Sequence, residues 1–267
     1  MRESLWLHTT ANLRFYLRSR LVLGAGLVGL AIWGLGLVPL FLLESSGTRF
    51  EQLKWISTQT RELAWFCAAA LGLVVVSTSL RSHQVRLVFT RPGSRETWLA
   101  SVFLLACLVS VAIHVAGAVL TLGLSVVWGI TFQPGFVFLA VQSMFSALVI
   151  VSMLTAFGTV LHPLIAVLFA AFFNESLFRY LDTWLLGTVQ AKRGGMLAIM
   201  GEWTVSAIYR LLPMLDPFAW HTTDVGSSLR VTSAQWGYLA AGAGYAVLAS
   251  AFFFLLAATF VRRKRLL

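Results

Sequence analysis

The sequence predicts an all-α polytopic membrane protein with six transmembrane helices. Three observations carry that prediction. Of its 267 residues 58% are hydrophobic and only 11% charged, against about 25% charged in a soluble globular domain. Its mean hydropathy is +0.83. Its apolar residues fall in runs long enough to cross a bilayer, for which about 20 residues are needed.

The spans follow in order. Leu21–Leu43, Leu63–Leu80, Trp98–Ile130, Phe136–Leu161 and Trp236–Val261 are apolar throughout. A further one, Pro163 to about Trp184, is apolar at first and then carries Asn174, Glu175, Arg179 and Asp182. The run from Trp98 is too long for one simple crossing, so part of it should lie outside the hydrocarbon. The first run is too long for the apolar core of a signal peptide and lacks a small-residue cleavage site, so it reads as a retained anchor. Cys67 and Cys107 sit inside spans and make neither a disulfide framework nor a metal spacing.

Lysine and arginine set the orientation. With both termini inside, the inner face holds Arg2, Arg14, Arg18 and Arg20, then Arg81, Arg86, Arg91 and Arg95, then Arg262, Arg263, Lys264 and Arg265. The outer face holds Arg49, Lys54, Arg61, Lys192, Arg193, Arg210 and Arg230. Only Glu3 and Glu96 join the inner set, whose net charge then equals the +10 of the whole chain. The basic excess is topological, and nucleic acid is not the expected partner. The expected location is the cytoplasmic (inner) membrane, crossed several times. Trp6 and Trp98 fall at the inner boundary and Trp55, Trp65, Trp128, Trp184 and Trp236 near the outer one, as an aromatic belt requires.

Residues 1–20 have helical periodicity. Leu5, Trp6, Leu13, Tyr16 and Leu17 share a face opposite Arg14 and Arg18, which describes a helix lying in the inner interface; a plain basic flank is the alternative. The loop after the first span is short and mixed in charge, and TFQPG at 131–135 is a tight turn. Residues 185–235 form an external segment. Within it Leu197, Met200, Ile208 and Leu211 recur at helical spacing until Pro213 and Pro217 stop them. Residues 1–267 make one membrane domain.

Chemistry is sparse. There is no GxxxxGK[ST] to cradle phosphate, no HExxH for zinc and no GxSxG nucleophile elbow. The five histidines are scattered, and neither a catalytic residue nor a metal ligand set stands out. Glu175, Arg179 and Asp182 share a helix face, either as a gate near the outer leaflet or as an ion-pair ladder where a span leaves the membrane. Gly117, Thr121, Ser125 and Gly129 form a small-residue stripe that lets another helix approach, with His114 one turn away as a packed hydrogen-bonding group. Gln142, Ser146, Ser152, Thr155 and Thr159 drift along one side of the fourth span, as interhelical hydrogen bonds or as a translocation path. Gly242, Ala246 and Ser250 read as packing.

Residues 90–98, TRPGSRETW, stand between the second and third spans on the inner side. With LRFYLRSRL before the first span and LLPMLDPF before the last, they resemble three segments of the permease subunits of ABC type-2 exporters. In that family a cytoplasmic coupling helix joins the second and third spans and ends in a Lys/Arg-Pro-x-Ser/Thr-Arg turn. The chain departs from the family at Ser82-His83-Gln84, where many relatives carry Glu followed by Gly-Thr, and at Ala100-Ser101, where many carry Gly-Lys.

The resemblance implies an interfacial helix over residues 1–20, a coupling region over residues 81–97 and short external helices between the fifth and sixth spans. It also implies that Arg81, Arg86, Arg91, Pro92, Gly93, Ser94 and Arg95 couple the spans to cytoplasmic ABC ATPase subunits, and that a second permease copy or a homologue completes the transporter. ATP and magnesium would bind to the ATPase and no cofactor to this chain, which is then not itself an enzyme. The substrate would be amphipathic or lipid-linked. Pro92 fixes φ and Gly93 permits a sharp bend, as a rigid terminus requires. A multispan membrane enzyme acting on lipids, with Glu175, Asp182 and His221 as its only candidates, is the alternative, and a non-catalytic scaffold is a third.

Overall fold

In the computed structural model, the residues described are 48–81, 94–131, 133–162, 175–190, 195–211 and 229–263, with isolated positions between 9 and 35 and at 165. Six helices account for most of them: α1 (Arg49–Arg81), α2 (Ser94–Val127), α3 (Pro134–Gly158), α4 (Glu175–Gln190), α5 (Met196–Leu211) and α6 (Ser233–Arg263). The described residues contain no strand. Among them α2, α3 and α6 are long and apolar enough to cross a membrane, and they mark the chain as a membrane protein. Thr9, Thr10, Leu13 and Arg14 are helical, with Arg14 exposed; Trp6 and Arg18 lie outside the described residues.

α3 is the central helix. Two thirds of its most apolar window is buried inside the protein, against about a third for α2 and α6. One face packs through Val149, Ile150, Met153 and Leu154 on Trp98, Leu99 and Val102 of α2 and on Phe253, Ala257 and Val261 of α6. Its opposite end joins Phe136, Phe138 and Leu139 to Leu53 of α1 and to Leu229 in the approach to α6. α1 meets its neighbours through Leu53, Ser57, Thr60, Ala64 and Ala68, all buried. This seam has a period of three to four residues, and four of its five members are small.

The ends explain themselves locally. α2 closes in a Schellman arrangement: Ile130 N–H donates to the Ser125 carbonyl at 2.8 Å and Gly129 N–H to Val126 at 3.1 Å. Gly129 takes φ +66° there, the left-handed conformation that such a cap requires. Gly129 therefore belongs to the cap and not to the packing stripe. α3 starts with Pro134 in its first turn after Gln133, where a missing N–H costs nothing. α6 starts in a capping box, in which Thr232 N–H donates to Gln235 Oε1 at 2.8 Å and Gln235 N–H to Thr232 Oγ1 at 3.3 Å.

Three details differ from the sequence reading. The mixed-charge stretch from Arg49 to Glu62 is no loop; it is the first half of a 33-residue helix, because its charges alternate with the buried seam instead of interrupting it. The long third run is one continuous helix of 34 residues, about 50 Å at 1.5 Å per residue, which exceeds the roughly 30 Å hydrocarbon core as its sequence length implies. Trp98 is a core residue, 5% exposed, and not part of a lipid-facing belt. The boundary at Trp184 is not a break: α4 runs through it to Gln190, since Leu185 and Leu186 favour helix and the lone Gly187 does not stop it. Most of the expected first span, most of 163–174 and residues 212–228 lie outside the described residues.

Candidate functional site

Among the described residues, the fold gathers polar side chains between α1 and α2. α1 and α2 lie so close that a Cβ on Gly117 would stand 2.6 Å from Thr60 Cγ2. That close approach is what the small residue at 117 provides, and it sets the depth of everything around it. Ser57, Thr60 and Arg61 of α1 face His114, Gly117 and Thr121 of α2, and Phe136, Val137 and Ala140 of α3 close the space between them. The enclosed cavity is about 10 Å³, room for one water.

Every hydroxyl in the seam with a known partner bonds its own helix first. Thr60 Oγ1 donates to the Ile56 carbonyl at 2.7 Å and Thr121 Oγ1 to the Gly117 carbonyl at 3.0 Å. These bonds keep buried polar atoms satisfied without fixing one helix to another. Arg61 Nη2 donates to Thr58 Oγ1 at 3.2 Å.

His114, 4% exposed, makes the contact that crosses between helices. Its Nδ1 lies 2.8 Å from the Ser110 carbonyl and its Nε2 3.2 Å from Ser143 Oγ on α3. A carbonyl only accepts, so Nδ1 carries the proton. In the neutral ring Nε2 then accepts from the Ser143 hydroxyl. His114 is thus the packed hydrogen-bonding group that its sequence position suggests. Ser110 Oγ, on the same turn, is buried with no hydrogen-bond partner among the described residues.

Arg61 is the residue that sequence reading passed over, grouped there with the outer flank. It stands twelve residues into α1, about 18 Å from its start, and opposite Gly117, which lies ten residues inside the Glu96–Val127 crossing. A cationic side chain packed against a helix long and apolar enough to cross a membrane marks a candidate functional position. The signal was present in the sequence as the Leu53, Ser57, Thr60, Ala64, Ala68 period. The charges of Arg49, Glu51, Lys54 and Glu62 obscured it.

The other sequence-predicted positions fall in separate places. Gln142 and Ser146 are buried on α3. Ser152 lies 2.9 Å from Ser250 of α6, so Ser250 does more than pack, while Thr155 and Thr159 bond their own helix. Glu175 opens α4 and Arg179 and Asp182 follow on it. Asp182 Oδ1 is buried without a hydrogen-bond partner among the described residues; the side chains of Glu175 and Arg179 are outside them. Ser94 and Arg95 form the first turn of α2, Arg81 ends α1, and Arg86, Arg91, Pro92 and Gly93 lie outside the described residues.

At the same end, Glu96 Oε1 accepts from Arg262 of α6, 2.5 Å from Nη2 and 2.6 Å from Nε. The start of α2 and the end of α6 therefore lie side by side.

No protein-family model matches the chain, and no curated protein matches it in sequence. The site must be judged on its own chemistry. No carboxylate lines the seam, and among the described residues no three His, Cys, Asp or Glu side chains stand together as a metal set. What it offers is a cation, two threonines and an imidazole at a close helix contact. Such a contact can hold a water or a polar group and can slide.

Proposed function

We propose that the chain is the transmembrane permease subunit of an ATP-driven exporter of the ABC type-2 kind. It would cross the cytoplasmic membrane six times with both termini inside, paired with a second copy or a homologue, and use a separate cytoplasmic ATPase to extrude an amphipathic or lipid-linked substrate. One observation carries the reading beyond the sequence resemblance. The Glu96–Arg262 contact sets the first turn of α2, which the TRPGSRETW motif runs into, beside the last turn of α6. A coupling turn and a cytoplasmic C-terminus belong at one end of the bundle.

The physical logic of the proposal runs through α1 and α2. The proposed coupling region, residues 81–97, takes in the last residue of α1 and the first turn of α2, so a force on it reaches the ends of both helices. Pro92 and Gly93 make the turn stiff in one torsion and bent in the next. In the seam between α1 and α2, Thr60 and Thr121 bond within their own helices, so a shift of the two helices need not break those bonds. Arg61 and His114 lie where that shift would be felt.

The test is a tagged preparation in mild detergent from native membranes. A soluble protein bearing a phosphate-binding loop should co-purify, and the Arg91→Ala/Arg95→Ala chain should insert normally yet stimulate its ATPase at least five-fold less. Unchanged stimulation in that double variant would exclude the coupling role.

A further inference from the structure

α2 and α6 touch at one end and part toward the other. Trp98 packs with Ala258 and Val261, and the Phe103 and Phe254 rings meet with centroids 5.5 Å apart. Beyond that contact a groove of about 600 Å³ opens between the two helices, floored by Phe145 and Leu148 of α3. It runs from Ala100 to Val111 along α2, eleven residues and about 17 Å. That is close to the depth of one leaflet, half of the roughly 30 Å hydrocarbon core.

The groove asks for nothing polar. Cys107 and Ser250 are the only side chains in its lining with a polar atom, and the Ser250 hydroxyl already meets Ser152. Its lips, Leu108 and Val247, are 46% and 67% exposed. The closed end is charged. Glu96 lies one turn from Ala100, about 6 Å along the axis, and holds Arg262. Arg263 is exposed beside it, so the two guanidinium groups outnumber the carboxylate. Six ångströms is about the thickness of the polar layer on one side of a bilayer, given its 40–45 Å total and 30 Å core.

We propose that this groove is a binding site for an anionic phospholipid: one acyl chain lies between α2 and α6 on the α3 floor, and the phosphate sits at Arg262 and Arg263. Charge selects an anionic headgroup over a zwitterionic one, since basic clusters at the membrane surface attract anionic lipid. The site does not depend on the exporter reading, only on the membrane placement of α2, α3 and α6.

Native mass spectrometry of the full chain in detergent, titrated with phosphatidylglycerol or phosphatidylcholine of identical chains, tests it. One phosphatidylglycerol should stay bound under activation that strips phosphatidylcholine. Ala251→Trp, which fills the groove, should weaken retention at least ten-fold, while Leu120→Trp, on the other side of α2, should not. Arg262→Gln with Arg263→Gln should erase the difference between the two lipids and leave a weak adduct of either. Equal retention of both lipids by the unaltered chain, or full retention by Ala251→Trp, would overturn the proposal. So would a Cys107–Cys107 disulfide formed in native membranes in a Cys67→Ala background, because it would seat a second copy in the groove.

Discussion

Two glycines show how the same substitution differs with what it meets. At Gly117 an added methyl group would press on Thr60 Cγ2, the end of a side chain. At Gly135 it would stand 2.5 Å from the Leu229 carbonyl oxygen and 2.6 Å from its Cα. A methyl group can rotate away; a backbone that is itself at φ 53° and hydrogen-bonded to Gly135 N–H at 3.1 Å cannot do so cheaply. Gly135→Ala should therefore cost roughly 1–3 kcal/mol, in the range for overpacking, and Gly117→Ala clearly less. Thermal unfolding of both variants in one detergent measures the difference. A Gly117→Ala protein no more stable than Gly135→Ala would mean that Thr60 is locked. His114→Ala should leave the Ser143 hydroxyl without its cross-helix partner and cost about 1–3 kcal/mol, mostly as lost packing and a stranded buried polar atom.

Among the elements, the capping box at the head of α6 is the most local and the most easily tested. Removing the Gln235 side chain frees the Thr232 N–H, so Gln235→Ala should cost about 0.5–2 kcal/mol. It should also speed amide exchange in the first turn of α6 while leaving the far end near Arg263 unchanged; uniform acceleration would show that the cap governs the whole helix. This level is also where the sequence was most legible. Apolar length found α2, α3 and α6, and helical spacing of Leu197, Met200, Ile208 and Leu211 found α5. Where charge and helix coincided, it misled. The first half of α1 reads as a loop because five ionisable residues crowd it, and the seam that makes it a packed helix is built of serine, threonine and alanine. Those residues carry little hydropathy, so a protein that packs through small side chains hides its contacts from any hydrophobic count. The polar seam was half visible for the same reason: Gly117 and Thr121 stood out at their spacing, whereas Arg61, which gives the seam its charge, looked like an ordinary outer cation.

Taken whole, the bundle is held by α3 and only trimmed by electrostatics. The Glu96–Arg262 pair spans 166 residues of sequence, yet its side chains are 53% and 62% exposed. Exposed pairs contribute about 0–1 kcal/mol and are screened by salt. Glu96→Gln should thus shift the unfolding midpoint little, and any shift should vanish at about 1 M salt. A large, salt-insensitive loss would mean that the pair is desolvated by something seated over it. The contact is better understood as a register mark, aligning the basic ends of α2 and α6, than as a support.

The clasp between α3 and the approach to α6 has a consequence for how the protein is made. Gly135, Phe136 and Phe138 complete their packing only with Leu229, and Ser152 waits for Ser250, 98 residues later. At about 5–20 residues per second, the ribosome takes roughly 5–20 s to deliver the second partner after the first. During that interval α1 and α2 can already meet through Thr60 and Gly117, while the Pro134 end of α3 stands with its aromatic side chains unmatched. Chains stopped before Leu229 should be the ones that membrane quality control removes.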